Sequence, residues 1–451
     1  MLRCPCAAYP VVDGVPVLVK GTVAVRSIAD DRVIVSGPES SALVRLIEAG
    51  DGEAALVSLL AFPVCPWPLN LTPAGRAWSE SGPVRSAGLA LRRRTLRRWL
   101  RATDRTAEDW FSLFYHRSPT LFDPFSYFFF RFAQPRHLAT LALAPVLPPK
   151  RPVLDLACGY GHTLHALTTG TPGGEAPRDA VGVDQNFHQA WIGQHWVAPA
   201  ARFVCADADR PLPFRDGAFG SALCVDAFHY LHGKAAVVGE LRRVTAGGPV
   251  VLARVGNAGV EPNEGEELAP EAYRALFGAQ STRWFSEDAL VDAYLRNETP
   301  DLTTATDVAG LAGTKWLYGV AAETNVALPR GDSAAAARPH TAGVLALNPL
   351  YATRKARTAL RLRFRFPSPW YAFENARMAD YHAQTETLDA DTLRDLAGGH
   401  RTERLGHLSD RFVVIGLPTR YARRRGRPWP VGAHRALTNG AARLRRSSRP
   451  G

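Results

Sequence analysis

Lysine is nearly absent from this chain of 451 residues: Lys20, Lys150, Lys234, Lys315 and Lys355 are the only ones. Arginine supplies the rest of the 54 basic residues, against 42 acidic ones, for a formal net charge of +12. That skew, together with abundant Ala, Gly and Pro, reflects a GC-rich coding sequence more than a function. The arginines gather in runs around Arg92–Arg105, Arg354–Arg365 and Arg420–Arg449. Positive charge suits an acidic partner. A nucleic-acid surface, however, also asks for interleaved aromatics in a groove or a recognisable binding module, and the sequence shows neither. The runs read as solvated helix faces and a tail, and no nucleic acid is expected as partner. No uninterrupted apolar stretch reaches the roughly 18 residues that a membrane span requires. A signal peptide is not expected either, because Pro5, Pro10, Asp13 and Pro16 interrupt any apolar core within Met1–Val19. Six cysteines are scattered along the chain; Cys158, Cys205 and Cys224 lie in apolar surroundings, where free buried thiols are usual. A reducing cytoplasm is the expected setting.

Metal ligands are scarce in the same way. Cys4-Pro5-Cys6 is followed by a phrase, Tyr9-Pro10-Val-Val-Asp13-Gly14-Val-Pro16-Val-Leu18, that resembles the end of a small zinc ribbon. Zinc wants four tetrahedral ligands, and no second cysteine pair is near; Cys65 stands alone. Residues 1–20 are therefore read as a degenerate ribbon without metal, or simply as a hairpin turning at Asp13-Gly14.

What the chain does have is order. Residues 21–84 mix short strands with a helix at Ser40–Ala49 and have no assigned role. Residues 85–150 read as a helical cap: Trp110, Phe111, Phe114 and Tyr115 recur at helical spacing, and Tyr127–Phe132 is aromatic on all sides. From Arg151 the pattern changes. Apolar strands at 152–157, 180–184, 202–206, 221–225 and 249–253 alternate with helices, which means a parallel sheet covered on both faces. The core runs to 323, with 256–310 taken as a helical insertion and Lys315–Ala322 as a further strand. A Pro/Ala/Arg linker leads to an α+β extension at 342–420, and 421–451 is expected to be a disordered basic tail.

The chemistry gathers at strand ends. Asp155-Leu-Ala157-Cys-Gly159-Tyr-Gly161-His162 stands where a strand becomes a helix, and its small residues let the backbone approach a ligand. A dinucleotide site would add a third glycine where Leu164 stands, and a phosphate loop would add a lysine; both are missing. An acid before the glycines suits a ligand with a positive group. Asp184 closes the next strand, followed by Gln185, and can accept from both ribose hydroxyls. Asp207-Ala208 follows the third, where a carboxylate can accept from an adenine amino group. Any one of these aspartates alone is most often a loop or capping residue; three at successive strand ends are a pattern.

These residues resemble the class I S-adenosylmethionine (SAM) dependent methyltransferases, especially the type 11 or ubiquinone/menaquinone-methyltransferase branch that acts on small molecules. The likeness runs from VLDLACGYGH through VGVDQN and CADADRPLPFRDGAFGSALCVDAFHYL to ELRRVTAGGPVVL, roughly residues 150–255. Ala157 departs from the family's first glycine. The resemblance implies a Rossmann-like core with a mostly parallel seven-stranded sheet, and SAM as cofactor. It places Asp155, Ala157, Gly159 and Gly161 around the methionine part, Asp184 and Gln185 at the ribose, Asp207 and Ala208 at the adenine, and Asp226 beside them. The fourth strand ends in Val225-Asp226-Ala-Phe-His229-Tyr230, not in the Asn/Asp-Pro-Pro-aromatic motif of amino-group methyltransferases. His229 is the candidate base, although packing beside the cofactor would explain it equally. The expected acceptor is a small molecule in a neutral, aromatic pocket between Tyr127–Phe132 and Asp226–Tyr230. Two other functions stay open: a non-catalytic partner protein that keeps the fold, and an RNA methyltransferase using the arginine runs.

Overall fold

The computed structural model describes residues 1–4, 7–26, 34–61, 74, 81–115, 117, 122–170, 176–260, 265–302, 307–323, 339–356 and 359–423. The centre is a seven-stranded sheet. Its strands are β1 (Val153–Leu156), β2 (Ala180–Asp184), β3 (Arg202–Cys205), β4 (Ser221–Val225), β5 (Val250–Gly256), β6 (Ser281–Ser286) and β7 (Trp316–Ala322). Their order across the sheet is β6-β7-β5-β4-β1-β2-β3. The strands β1 to β5 are mutually parallel, and β7 runs antiparallel between β5 and β6. This is the Rossmann-like methyltransferase architecture. Side chains alternate between two cores: Ala222 and Cys224 of β4 face one, Leu223 the other. Helix α5 (Lys234–Thr245) covers the first face through Val237, Val238, Leu241 and Val244. Helices α3 (Pro135–Ala142), α4 (His162–Thr169) and α6 (Glu287–Arg296) supply Leu138, Leu164, Leu290 and Val291 to the second.

The chain leaves β1 towards β2 and β3, then returns to the other side of β1 for β4. A sheet that reverses direction in this way opens a crevice beyond its carboxyl ends at the reversal, here between β1 and β4.

One strand corrects the reading of 256–310 as a helical insertion: Ser281–Ser286 is the edge strand β6, paired with β7 from Ser281–Ala322 to Ser286–Leu317. It is only six residues long, lies between two helices, and buries just Trp284, so it carries little period-2 signal.

The first sixteen residues include two antiparallel strand pairs, Leu2–Cys4 with Ala7–Tyr9 and Val11–Val12 with Val15–Pro16. The second turns at Asp13 and Gly14, with φ of 46° and 84°, as an Asp-Gly hairpin turn requires. Val17 then bridges Cys205 in parallel, and the Leu18 N–H donates to the Cys205 carbonyl at 2.8 Å, covering part of the exposed edge of β3. Cys4 is exposed, while Cys6 and Cys65 lie outside the described residues. Among the described residues no helix is long and apolar enough to cross a membrane.

Helices α1 (Ala107–Phe114) and α2 (Pro124–Phe129) make up the cap together with α3. The C-terminal extension is α+β: strands Val344–Leu347 and Val414–Leu417 pair, a three-stranded sheet spans Tyr351–Lys355, Ala359–Phe364 and Thr385–Asp389, and short helices include α7 (Pro369–Glu374). It packs back on the core. Arg377 pairs with Asp288 and Asp292 of α6, and Tyr381 donates to the Ala133 carbonyl at 2.8 Å.

The expected tail does not begin at Tyr421. That side chain is fully buried, with its hydroxyl 2.9 Å from His162 Nε2, and Arg423 pairs with Asp109. A lone aromatic at the head of an arginine run gave no local sign of this. Residues 424–451 and most of the linker lie outside the described residues.

Candidate functional site

A cavity of about 470 Å³ occupies the crevice at the reversal. That volume suits a cofactor or small ligand. At one end the loop after β1 brings its backbone close to the space. Ala157, Gly159 and Gly161 all have positive φ, at 55°, 55° and 73°. At Gly161 a side chain is barred twice over, since a Cβ would stand 2.6 Å from the Phe203 ring. The Gly159 N–H donates to Asp184 Oδ2 at 2.8 Å and the Asn186 N–H to Oδ1 at 2.7 Å, so the β2 carboxylate pins the turn. Burial lifts the Asp184 carboxyl to about 6, and these two N–H groups hold it back from rising further.

Asp155 sits inside β1 rather than past its end, and is almost wholly buried. Its Oδ1 has no hydrogen-bond partner among the described residues. Burial, and then the neighbouring Asp184 charge, raise its carboxyl to about 8, with Arg131 pulling the other way. An orphaned carboxyl facing a cavity is an acceptor waiting for a donor, and a cationic donor would also restore its charge. Gln185, Asp207 and Ala208 line the same end. Asp207 lies two residues beyond β3, with Oδ1 held by the Asp209 N–H at 3.0 Å.

The other end is not the neutral pocket expected from the sequence. Asp226 projects there, but not as a free cofactor ligand. Arg254 donates to its Oδ1 at 2.8 Å; Arg131, at 3.0 Å through both terminal nitrogens, Arg136 at 3.3 Å and the Tyr127 hydroxyl at 2.5 Å converge on Oδ2. Burial pushes this carboxyl up, but Arg254, Arg131 and Arg136 together hold it well below the usual carboxylate range. Two non-glycine residues with positive φ meet here, Asp226 at 57° and Arg254 at 55°, a conformation that persists only where surroundings enforce it. At Arg254 the enforcement is a register shift of β5 against β7 between Leu252 and Val255. Strict alternation would send Arg254 to the face of Leu252; the shift puts Val255 there and turns Arg254 to the cavity. Its guanidinium lies 3.6 Å from the centre of the Trp316 ring.

His229 lines the cavity between the two ends, 2 % exposed, with Nδ1 unpartnered among the described residues. Burial lowers its pKa to about 4, against the opposing pull of Asp226. The ring is therefore neutral near pH 7.

The structure thus brings Asp155, Ala157, Gly159, Asp184, Gln185, Asp207, Ala208, Asp226 and His229 around one cavity, while Gly161 shapes the turn behind it, against Phe203. Of the two expected walls, Tyr127–Phe132 contributes Tyr127, Phe128 and Arg131, and Asp226–Tyr230 contributes all but Phe228, while Phe129, Phe130 and Phe132 turn into the core; among the described residues none of the arginine runs lines the cavity. Sequence reasoning missed Arg131, Arg136, Arg254, Trp316, Trp370 and Glu374. No motif announces them, because cap, β5, β7 and extension each contribute one or two residues.

Residues 153–248 match the family model described as a methyltransferase domain. No curated protein matches the chain. Among solved structures, the YcgJ protein of Bacillus subtilis is 17 % identical, covering 42 % of this chain and 99 % of its own, with a TM-score of 0.30. Geranyl diphosphate C-methyltransferase of Streptomyces coelicolor A3(2) is 15 % identical, over 41 % of this chain and 75 % of its own, with a TM-score of 0.30. The [4+2]-cyclase SpnF is 17 % identical, over 42 % and 81 %, with a TM-score of 0.31. Scores this low add nothing to the reading of the site.

Proposed function

We propose that this chain, whose residues 153–248 match a methyltransferase domain, is a class I methyltransferase that binds SAM and transfers its methyl group to a small-molecule acceptor. The observation that carries the reading is the set of carboxylates in or just beyond the last residues of successive strands, Asp155, Asp184 and Asp207, disposed with a glycine turn around one cavity. The residues fit the cofactor. The orphaned Asp155 oxygen suits its amino group, and Arg131, whose charge acts on Asp155, would meet the carboxylate of the same methionine part. The turn at Gly159 and Gly161 admits the backbone, Asp184 and Gln185 would take the ribose, and Asp207 and Ala208 the adenine.

When bound, SAM supplies a methyl group on a positively charged sulfur. The chain's own part is to bind, orient and keep water out. Phe122, Tyr127, Trp316 and Trp370 wall the remaining space, which supports a flat organic acceptor over a polymer. His229, neutral and unpartnered at Nδ1, would take the proton of an acceptor hydroxyl or amine. Alignment of acceptor and methyl supplies much of the rate. Calorimetry with S-adenosylhomocysteine should give one site per chain, and Asp184→Ala should weaken it by about 1.5–3 kcal/mol. No heat and no thermal shift at millimolar ligand would overturn the reading.

A further inference from the structure

The arginine end of the cavity has more donors than its own carboxylates engage. Four cations (Arg131, Arg136, Arg254 and Lys315) face Asp226, Glu374 and, behind Arg254, Glu287. Arg131 and Arg254 are tied to Asp226, and Arg254 Nε also meets Glu287 at 3.2 Å. Arg136 differs. It is 3 % exposed, and its Nη2 is buried without a hydrogen-bond partner among the described residues. The nearest carboxylate oxygen, Glu374 Oε2, stands 3.6 Å away, and the same oxygen is 3.8 Å from Arg254 Nη2. Both distances are too long for hydrogen bonds. An unmet buried guanidinium N–H is costly, and a second guanidinium, that of Arg254, close to the same oxygen makes a place that fits the planar pair of oxygens of a carboxylate.

We propose that Arg136 and Arg254 form a receptor for a carboxylate group of the methyl acceptor, with Glu374 standing loosely at that place until the acceptor arrives. This deepens the methyltransferase reading and rests on it. The cofactor's own carboxylate is the other source of such a group, but both arginines are bonded to Asp226, which follows β4, whereas the glycine turn follows β1. The two arginines belong to the far end. Glu374 is itself a carboxylate, so the protein shows which ion the pair accepts. It is carried on α7, one turn after Trp370, which also lines the cavity. Trp370, Trp316 and Tyr127 then flank the anchored group, which makes an aromatic or otherwise flat carboxylic acid the acceptor class.

The test is calorimetry on the full chain, first with S-adenosylhomocysteine, then with benzoate, benzamide and benzylamine on the loaded protein. Benzoate should bind at least about tenfold tighter than benzamide or benzylamine. Glu374→Gln, at a partly exposed position, removes the competing carboxylate and should tighten benzoate severalfold. Arg136→Gln, its folding checked by thermal unfolding, should abolish benzoate binding. The proposal is overturned if benzylamine binds best and Glu374→Gln weakens it, or if S-adenosylhomocysteine displaces benzoate. It is equally overturned if benzoate binds neither the natural protein nor Glu374→Gln, or if a folded Arg136→Gln binds benzoate unchanged. Heat from S-adenosylhomocysteine with none from benzoate removes this inference alone; no heat from S-adenosylhomocysteine removes the methyltransferase reading.

Discussion

Asp155 concentrates the electrostatics of the site in a single residue. Its folded value of about 8 lies above an unfolded value near 3.9. Between those limits the folded chain holds the extra proton, so stability falls as pH rises through that window. Asp184, raised to about 6, adds to the fall over the lower part of the same range. Asp155→Asn should flatten the decline, measured as urea midpoint against pH. A ligand ammonium beside Asp155 favours its charged form. Binding of S-adenosylhomocysteine at pH 7 should therefore release up to about one proton, visible as a dependence of the binding heat on buffer ionisation enthalpy; no such dependence would place the amino group elsewhere. His229, by contrast, is held neutral down to about pH 4. A kcat/KM profile should lack an acid limb near pH 6.5, and His229→Ala should lower kcat while leaving S-adenosylhomocysteine affinity unchanged. The aspartates were legible in the sequence because each sits at a strand end beside its own small or polar neighbours. Arg136 and Glu374, 238 positions apart in the chain, have no local mark.

At the scale of elements, the site depends on two departures from regular structure. One is the run of left-handed residues after β1, the other the shifted register in β5 that re-aims Arg254. The first announces itself through glycines. The second does not, because VVLARVG reads as an ordinary buried strand. The same asymmetry separates the chain ends. Asp13-Gly14 is a turn by its chemistry, whereas Tyr421 looks like part of a basic tail and is in fact stacked on Phe129 at 5.5 Å and bonded to His162. Tyr421→Ala should cost about 3–5 kcal/mol, as deletion of a large buried aromatic does, measured by urea unfolding; a change under 1 kcal/mol would mean that the C-terminal strap is not fastened there.

Across the whole molecule, one cavity is assembled from three parts: the core sheet gives the cofactor end, the cap gives Tyr127, Arg131 and Arg136, and the extension gives Trp370 and Glu374. Ligands should report this division. In hydrogen exchange, S-adenosylhomocysteine should slow amides at 157–163, 184–189 and 207–210 while leaving 369–374 as they were. Protection of 369–374 by that ligand alone would show that the extension closes on the cofactor instead.

The sequence by itself determined the sheet and the end of the cavity proposed for the cofactor. Continuous apolar strands, a glycine turn and carboxylates at strand ends are local features, and parallel sheets place ligands by rule. What occupies the acceptor end was decided only by tertiary structure. There a charged wall stands where an apolar one was expected, because burial of Arg131, Arg136 and Arg254 is stable only when Asp226 is brought to them, and that meeting is set by how cap, β4 and β5 pack.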